Sequence, residues 1–217
     1  QGCSVRDRGR CRAVIQAIPK NKPADNIAGT IRKTRSDTIS KERSKPLHIV
    51  SCSFGKDSLA TILLALEHGE PLDEAVYCEV MFDKTISGEV PEHRDFICHT
   101  AIPKLERMGV KVRVLCAEKT YVDLFTGTVT RGPKKGMLRA FPICGRCYVQ
   151  RDCKIKPICR YQKSLPADTV QYIGIAHDEP KRLSRLKDQQ VSLLAKYKFT
   201  EEDAKQLCRK AGLFSPA

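Results

Sequence analysis

From Leu47 onward, short apolar runs alternate with stretches whose apolar residues recur at helical spacing. His48-Ile49-Val50-Ser51-Cys52 has the length and continuity of a buried strand, and Leu59, Ile62, Leu63 and Leu66 then mark one face of a following helix. Ala75 to Phe82 predicts a second strand, Glu92 to Met108 a second helix, and Val110 to Cys116 a third strand. An order of β-α-β-α-β predicts parallel strands joined by right-handed crossovers. Beyond it lie a short helix or lid segment, Tyr121 to Thr130, and a basic loop, Arg131 to Gly136. Val170 to Ile175 predicts a late strand, and Glu201 to Lys210 a helix opened by Thr200 with Asp203 at the capping-box offset. Residues 1–45 show no sustained period and few large apolar side chains, which predicts a basic, disordered extension ahead of one domain over residues 46–217.

Composition narrows the class. No apolar run approaches the roughly 18 residues of a membrane span, so the expectation is a cytoplasmic protein with no membrane partner. Eleven cysteines in a chain with no signal-peptide pattern point to reduced thiols or a metal site before a disulfide framework. The net charge of +14 is uneven: residues 1–46 hold 12 Lys+Arg against 4 Asp+Glu, and the remainder 27 against 21. The domain is therefore only mildly basic and shows no basic-aromatic stripe in sequence, so nucleic acid is a weakly supported partner.

The richest chemistry lies at Ser53-Phe54-Gly55-Lys56-Asp57-Ser58, where the first strand gives way to its helix. The first amides of a helix lack intrahelical partners and the macrodipole is positive there, so this turn suits a phosphate or sulfate. Gly55 permits close backbone approach, Lys56 adds charge, Ser53 and Ser58 add hydroxyl donors, and Asp57 can cap the helix or hold Mg²⁺. A capped helix after a buried strand is the plainer alternative. Two further polar clusters follow strand ends, Asp83 after the second and Gly174 to Arg182 after the late one, which includes Glu179. Ligands of parallel sheets bind at the carboxyl ends of strands, so all three clusters converge on one edge.

Cys144, Cys147, Cys153 and Cys159 place four thiols within 16 residues, among Arg151, Lys154 and Lys156, which would ease ionisation. Two intervening residues followed by five and five suit an iron-sulfur cluster better than a zinc knuckle, with zinc or free buried thiols as the alternatives.

The order Ser-x-Gly-Lys-Asp-Ser resembles the pyrophosphate loop Ser-Gly-Gly-x-Asp-Ser of the adenine nucleotide alpha-hydrolase-like superfamily, with Phe54 at the first glycine. Asp83 with Pro91 and Glu92 is similar to the Asp-Thr-Gly-x-x-x-Pro-Glu stretch of phosphoadenosine phosphosulfate reductases. Gly174, Glu179 and Arg182 match the reductase pattern Gly-x-Arg-x-x-(Glu/Gln)-Ser-x-x-Arg, with Ala176 at its first arginine. The resemblance implies a three-layer α/β sandwich with a mostly parallel sheet. It also implies an adenine nucleotide or sulfonucleotide on Ser53 to Ser58, the ribose at Asp83, charge balance from Arg182, and a reductant protein as partner. The reductases attack sulfur with a cysteine in a C-terminal Glu-Cys-Gly-x-His segment, which no stretch of this sequence matches; the expectation is a chain cut short at its C-terminus. Cys208 reads instead as an ordinary helix thiol. Two rival functions remain: an ATP-dependent adenylating or sulfur-transfer enzyme acting on nucleic acid, and a non-catalytic nucleotide-binding module.

Overall fold

The computed structural model describes residues 45–140 and 147–215. Apart from Lys45, the extension expected over residues 1–45 lies outside the described residues, as does Cys144. Five strands form one parallel sheet: β1 His48–Ser51, β2 Glu74–Glu79, β3 Lys111–Cys116, β4 Val170–Ile173 and β5 Gln190–Val191. Their spatial order is β3-β2-β1-β4-β5. The chain steps outward from β1 through β2 to β3, then returns to the other side of β1. Crossover direction therefore reverses between β1 and β4, which pair Val50 with Tyr172 and Ser51 with Ile173. A crevice opens at the carboxyl ends of such a strand pair. This is an α/β fold, as the strand-helix alternation predicts.

Helix α1, Lys56–Glu67, follows β1 and is buried almost all round, with Leu59, Ala60, Ile62, Leu64 and Ala65 at 0% exposure. Helical spacing predicts a single apolar face that includes Leu66, but Leu66 is exposed. The burial of the helix's other faces comes from a second covering layer. Helices α7, Leu193–Lys196, and α8, Glu201–Lys210, lie over α1, and their Leu193, Leu194, Ala204 and Cys208 join the core that α1 shares with the sheet. A helix enclosed on both sides is apolar on both sides.

Glu92 to Met108 is helical as expected, though not uniformly. α2, Pro91–Phe96, passes through a π-helical turn, Ile97–Ala101, into α3, Ile102–Arg107. Pro103 has no amide for the His99 carbonyl and its ring crowds that oxygen, so the turn before it widens. The same device recurs before Pro157, where a π-helical turn, Gln150–Ile155, leads into α5, Lys156–Lys163. α5 covers the opposite face of the sheet, its Ile158 and Tyr161 packing on Ile49, Val76, Cys78 and Leu115. Tyr161 donates its hydroxyl to the buried Glu74, which also takes Arg113 at 3.0 Å, and the Arg113 guanidinium lies 4.9 Å from the Tyr161 ring centre. Two short helices complete the described residues, α4, Tyr121–Phe125, and α6, Pro180–Leu183. The capping box of α8 is formed in both directions between Thr200 and Asp203.

Candidate functional site

The turn between β1 and α1 is closed by its own side chains. Ser58 donates its hydroxyl to the Gly55 carbonyl at 2.9 Å and accepts the Ser53 amide at 3.3 Å. Ser58 is buried, so its hydroxyl serves the loop, whereas Ser53 is exposed. No side chain among the described residues caps α1. Among the described residues, the amides of Lys56 and Asp57 have no acceptor, which leaves the helix N-terminus open to an anion.

Phe54 carries the conformational demand of the turn. Its φ is 58°, in the left-handed region, while Gly55 has an extended φ of −78°. A left-handed non-glycine costs about 1–2 kcal/mol. Burial offsets this: the Phe54 ring is wholly enclosed and meets Tyr77 edge-on at 5.1 Å, and burying a phenylalanine contributes about 1.5–3 kcal/mol. The side chain thus anchors the turn from beneath, and only the Phe54 backbone belongs to the anion-facing surface. Gly55 is not needed for clearance, since an added Cβ would meet only the Ser53 hydroxyl at 3.5 Å.

The loop after β4 packs directly onto this turn. A Cβ at Gly174 would lie 2.8 Å from the Asp57 carbonyl carbon and 2.9 Å from the Ser58 nitrogen, so only glycine fits. Three residues on, His177 donates its amide to the Phe199 carbonyl at 2.8 Å, and Asp178 accepts the Glu201 amide at 3.3 Å. The loop after β4 and the loop preceding α8 are therefore stitched together. Glu179 accepts the Ala176 amide at 3.2 Å, and both its oxygens accept from one Arg182 nitrogen at 2.5 and 2.6 Å.

Charge concentrates here. Lys56 Nζ lies 2.9 Å from Asp57 and 3.4 Å from Glu201. Burial acts to lower the Lys56 ammonium pKa, but the hydrogen bond and charge of Asp57, with those of Glu201, outweigh it and hold the group above the ordinary lysine value. The hydrogen bond from Arg182 holds the Glu179 carboxyl below its usual range against the opposing effect of burial, with the Ala176 amide and the Lys56 charge assisting. Arg182 also feels Asp57 and Glu201. The sequence motifs at Ser53–Ser58 and Gly174–Arg182 are thus brought into one cluster.

Asp83 sits on the same edge, after β2, in an Asx turn: its carboxylate accepts the amides of Thr85 at 2.7 Å and Ile86 at 2.6 Å, which hold its pKa below the usual range. β2 stops at Glu79, three residues before the expected Phe82, because Met81 bridges back to Ser87 in a tight loop. Sequence reasoning missed His93. Its Nε2 lies 3.3 Å from the Ser53 carbonyl and its Nδ1 2.8 Å from the Ser215 hydroxyl, while neighbouring Arg94 fixes α2 on the buried Glu79 at 3.0 Å. Only its place two residues after Pro91, at the start of a helix beside the loop, could have marked it.

Two thiols lie beneath the loop. Cys208 donates to the Lys56 carbonyl at 3.2 Å, and Cys52 approaches the Ser58 hydroxyl at 3.8 Å. Burial pushes Cys208 up to about 12 and Cys52 up to about 11, so both are neutral thiols at neutral pH. The expected metal cysteines are placed differently. Cys153 is fully buried, donates to the Lys119 carbonyl at 3.2 Å, and is raised by burial, whereas Cys159 is exposed on α5. Among the described residues no three His, Cys, Asp or Glu side chains are grouped to hold a metal. Cys147, Cys153 and Cys159, the described members of the expected set, are not gathered into one such group. No helix among the described residues is long and apolar enough to cross a membrane. Comparison with protein-family models and with curated proteins gives no match for this chain.

Proposed function

We propose that this chain is a phosphoadenosine phosphosulfate reductase-like protein of the adenine nucleotide alpha-hydrolase-like type, binding an adenine nucleotide by its phosphate or phosphosulfate chain. The observation that carries this reading is the uncapped N-terminus of α1 at the β1–β4 switch point, with Lys56 and Arg182 beside it. In it the amides after Ser53 take the anion, Lys56 turns from Asp57 toward it, and Asp83 meets the ribose. Three carboxylates, Asp57, Glu179 and Glu201, surround these two cations, so a polyanion entering alone meets net negative charge. Asp57 and Glu201 suit Mg²⁺, which binds through one or two carboxylates plus substrate phosphates. The ion would offset repulsion between phosphates and the site.

Calorimetry tests this directly. Lys56→Ala should weaken binding of Mg-ATP or of phosphoadenosine phosphosulfate at least tenfold, about 1.4 kcal/mol, as expected when a charge-assisted hydrogen bond to phosphate is removed. Equal affinity in parent and variant would remove the loop from the site.

A second reading is favoured by the buried thiols. Reductase chemistry needs a thiolate at the sulfate sulfur, and Cys52 and Cys208 are held neutral. Adenylation needs none: an acceptor oxygen attacks the α-phosphorus of ATP, and pyrophosphate leaves with the electron pair of the broken P–O bond. Pyrophosphate release without sulfite release would select this reading, and binding without turnover of either nucleotide would select a binding module.

A further inference from the structure

A cavity of about 250 Å³ opens after β3, and none of its lining residues belongs to the Ser53–Ser58 or Gly174–Arg182 loops. Its walls carry five cations, Lys119, Arg139, Arg151, Lys156 and Arg160, against the carboxylates Glu118 and Asp152. Asp152 organises them. It accepts two hydrogen bonds from Arg151 at 2.8 and 2.7 Å, and pairs with Lys156 at 2.7 Å and Arg139 at 4.0 Å. One carboxylate at 10% side-chain exposure gathers three cations, while Arg160 pairs loosely with Glu118 at 3.6 Å. The side chains of Arg151, Lys156 and Arg160 stay more than half exposed, so their remaining donors face solvent. This is a preformed positive concavity, and its surplus charge suits an anion of phosphate type.

Two neighbouring features extend it. Thr128 bridges Leu138 and Arg139 donates its amide to the Gly127 carbonyl at 2.9 Å, forming a narrow ribbon whose base delivers Arg139 to the cleft. The tip of that ribbon carries Arg131, Lys134 and Lys135, all exposed. Two residues beyond Lys119, Tyr121 stacks with Phe82 at 5.4 Å and with Phe125 at 6.1 Å. The Ala140 amide, next to Arg139, donates to the Phe125 carbonyl at 3.2 Å and ties this stack to the ribbon. Phe82 is 43% exposed, which leaves part of an aromatic ring available at the end of the stack.

We infer that this cleft and ribbon bind a nucleic-acid strand, with backbone phosphates in the cleft and along Arg131, Lys134 and Lys135, and a base on Phe82. A single small phosphate would satisfy the cleft but leave the ribbon tip unused. An acidic peptide would use the charges but not the ring. Positive grooves beside stacked aromatic rings are how sequence-tolerant binding of single strands is built. The inference does not depend on what occupies the Ser53–Ser58 loop.

The test is fluorescence anisotropy of a labelled single-stranded oligonucleotide with the full chain, across a salt series. Lys156→Gln with Arg160→Gln should weaken binding at least tenfold in low salt and flatten the logarithmic salt dependence by about 1.4, near 0.7 for each phosphate left without its cation. Phe82→Ala should weaken it at least fivefold. ATP affinity of the double variant should match the parent. Should that variant lose its native circular dichroism, Arg131→Gln with Lys134→Gln and Lys135→Gln, all at exposed positions, should weaken binding at least tenfold and flatten the salt dependence by about 2.1. Oligonucleotide affinity within twofold of the parent in folded variants would overturn the inference. So would a labelled polyglutamate of equal charge binding as tightly as the oligonucleotide, or loss of ATP affinity in the double variant with oligonucleotide binding intact.

Discussion

The carboxyl edge of the sheet offers anions two different environments, after strands two places apart in the sheet. After β1 the donors are backbone amides at an uncapped helix, set by a turn whose own residues close it and by Phe54 driven into the core. After β3 the donors are long side chains from the β3 loop, the ribbon and α5, gathered by Asp152. The geometry of the first site resides in packing. The geometry of the second resides in charge. Stability and ligand affinity should therefore be coupled in the first and separable in the second.

The strongest way to break that contrast is at Phe54. Phe54→Ala removes a fully buried ring and its edge-on packing with Tyr77, and should cost about 3–5 kcal/mol in urea denaturation. Phe54→Gly should cost less than its greater loss of side chain suggests, because relief of a left-handed non-glycine returns about 1–2 kcal/mol. If the two substitutions reduce stability in simple proportion to volume removed, the turn is not strained at Phe54.

The same contrast explains what the sequence made legible. The strand, turn and helix at 48–67 and the capping box at Thr200 and Asp203 are local patterns, and they lie where periodicity and caps put them. The burial of α1 on two sides was not legible, because helical spacing cannot tell one covering layer from two. The cleft was invisible for a different reason: its cations come from segments around 119, 139 and 151–160 that only the fold assembles. One signal did exist. Asp152, Lys156 and Arg160 recur every four residues, a helical spacing that marks α5 and the turn before it. Likewise, no stripe of basic and aromatic residues runs along the chain, although Phe82, Tyr121 and Phe125 stack beside the cleft.

Glycine substitutions at the two ends sharpen the comparison at smaller scale. Gly174→Ala places a Cβ 2.8 Å from the Asp57 backbone, with main chain on both sides and no flexible atom to yield. It should cost about 1–3 kcal/mol by overpacking, and because the displaced atoms belong to the first turn of α1, Mg-ATP affinity should fall with it. Gly132→Ala, on the ribbon, meets no atom within 4 Å, although φ there is 84°. Its cost should stay near the 1–2 kcal/mol of backbone strain alone, with Mg-ATP affinity unchanged. Paired thermal melts and calorimetry would measure both, and an unaltered nucleotide affinity in folded Gly174→Ala would uncouple the loop from the β4 side of the crevice.

The smallest effect belongs to Asp152, and its sign is fixed by linkage. The Arg151 hydrogen bond holds the carboxyl well below the usual aspartate range, burial opposes this, and Lys156 adds to the lowering. A carboxylate with a depressed folded pKa contributes stability above its unfolded value, near 3.9, and loses it as pH falls toward the folded value. Asp152→Asn should therefore lower stability at pH 7 and flatten the decline in melting temperature between about pH 4 and pH 2. The magnitude should be about 1 kcal/mol, because the Arg151 and Lys156 partners are more than half exposed and screened by solvent. In the same variant the cations of the cleft lose their internal competitor, so oligonucleotide affinity should rise while Mg-ATP affinity holds. Stability and binding moving in opposite directions is the behaviour expected of a site held by charge. Asp152→Asn with an unchanged acid limb and unchanged oligonucleotide affinity would show that Asp152 neither gathers those cations nor competes for them.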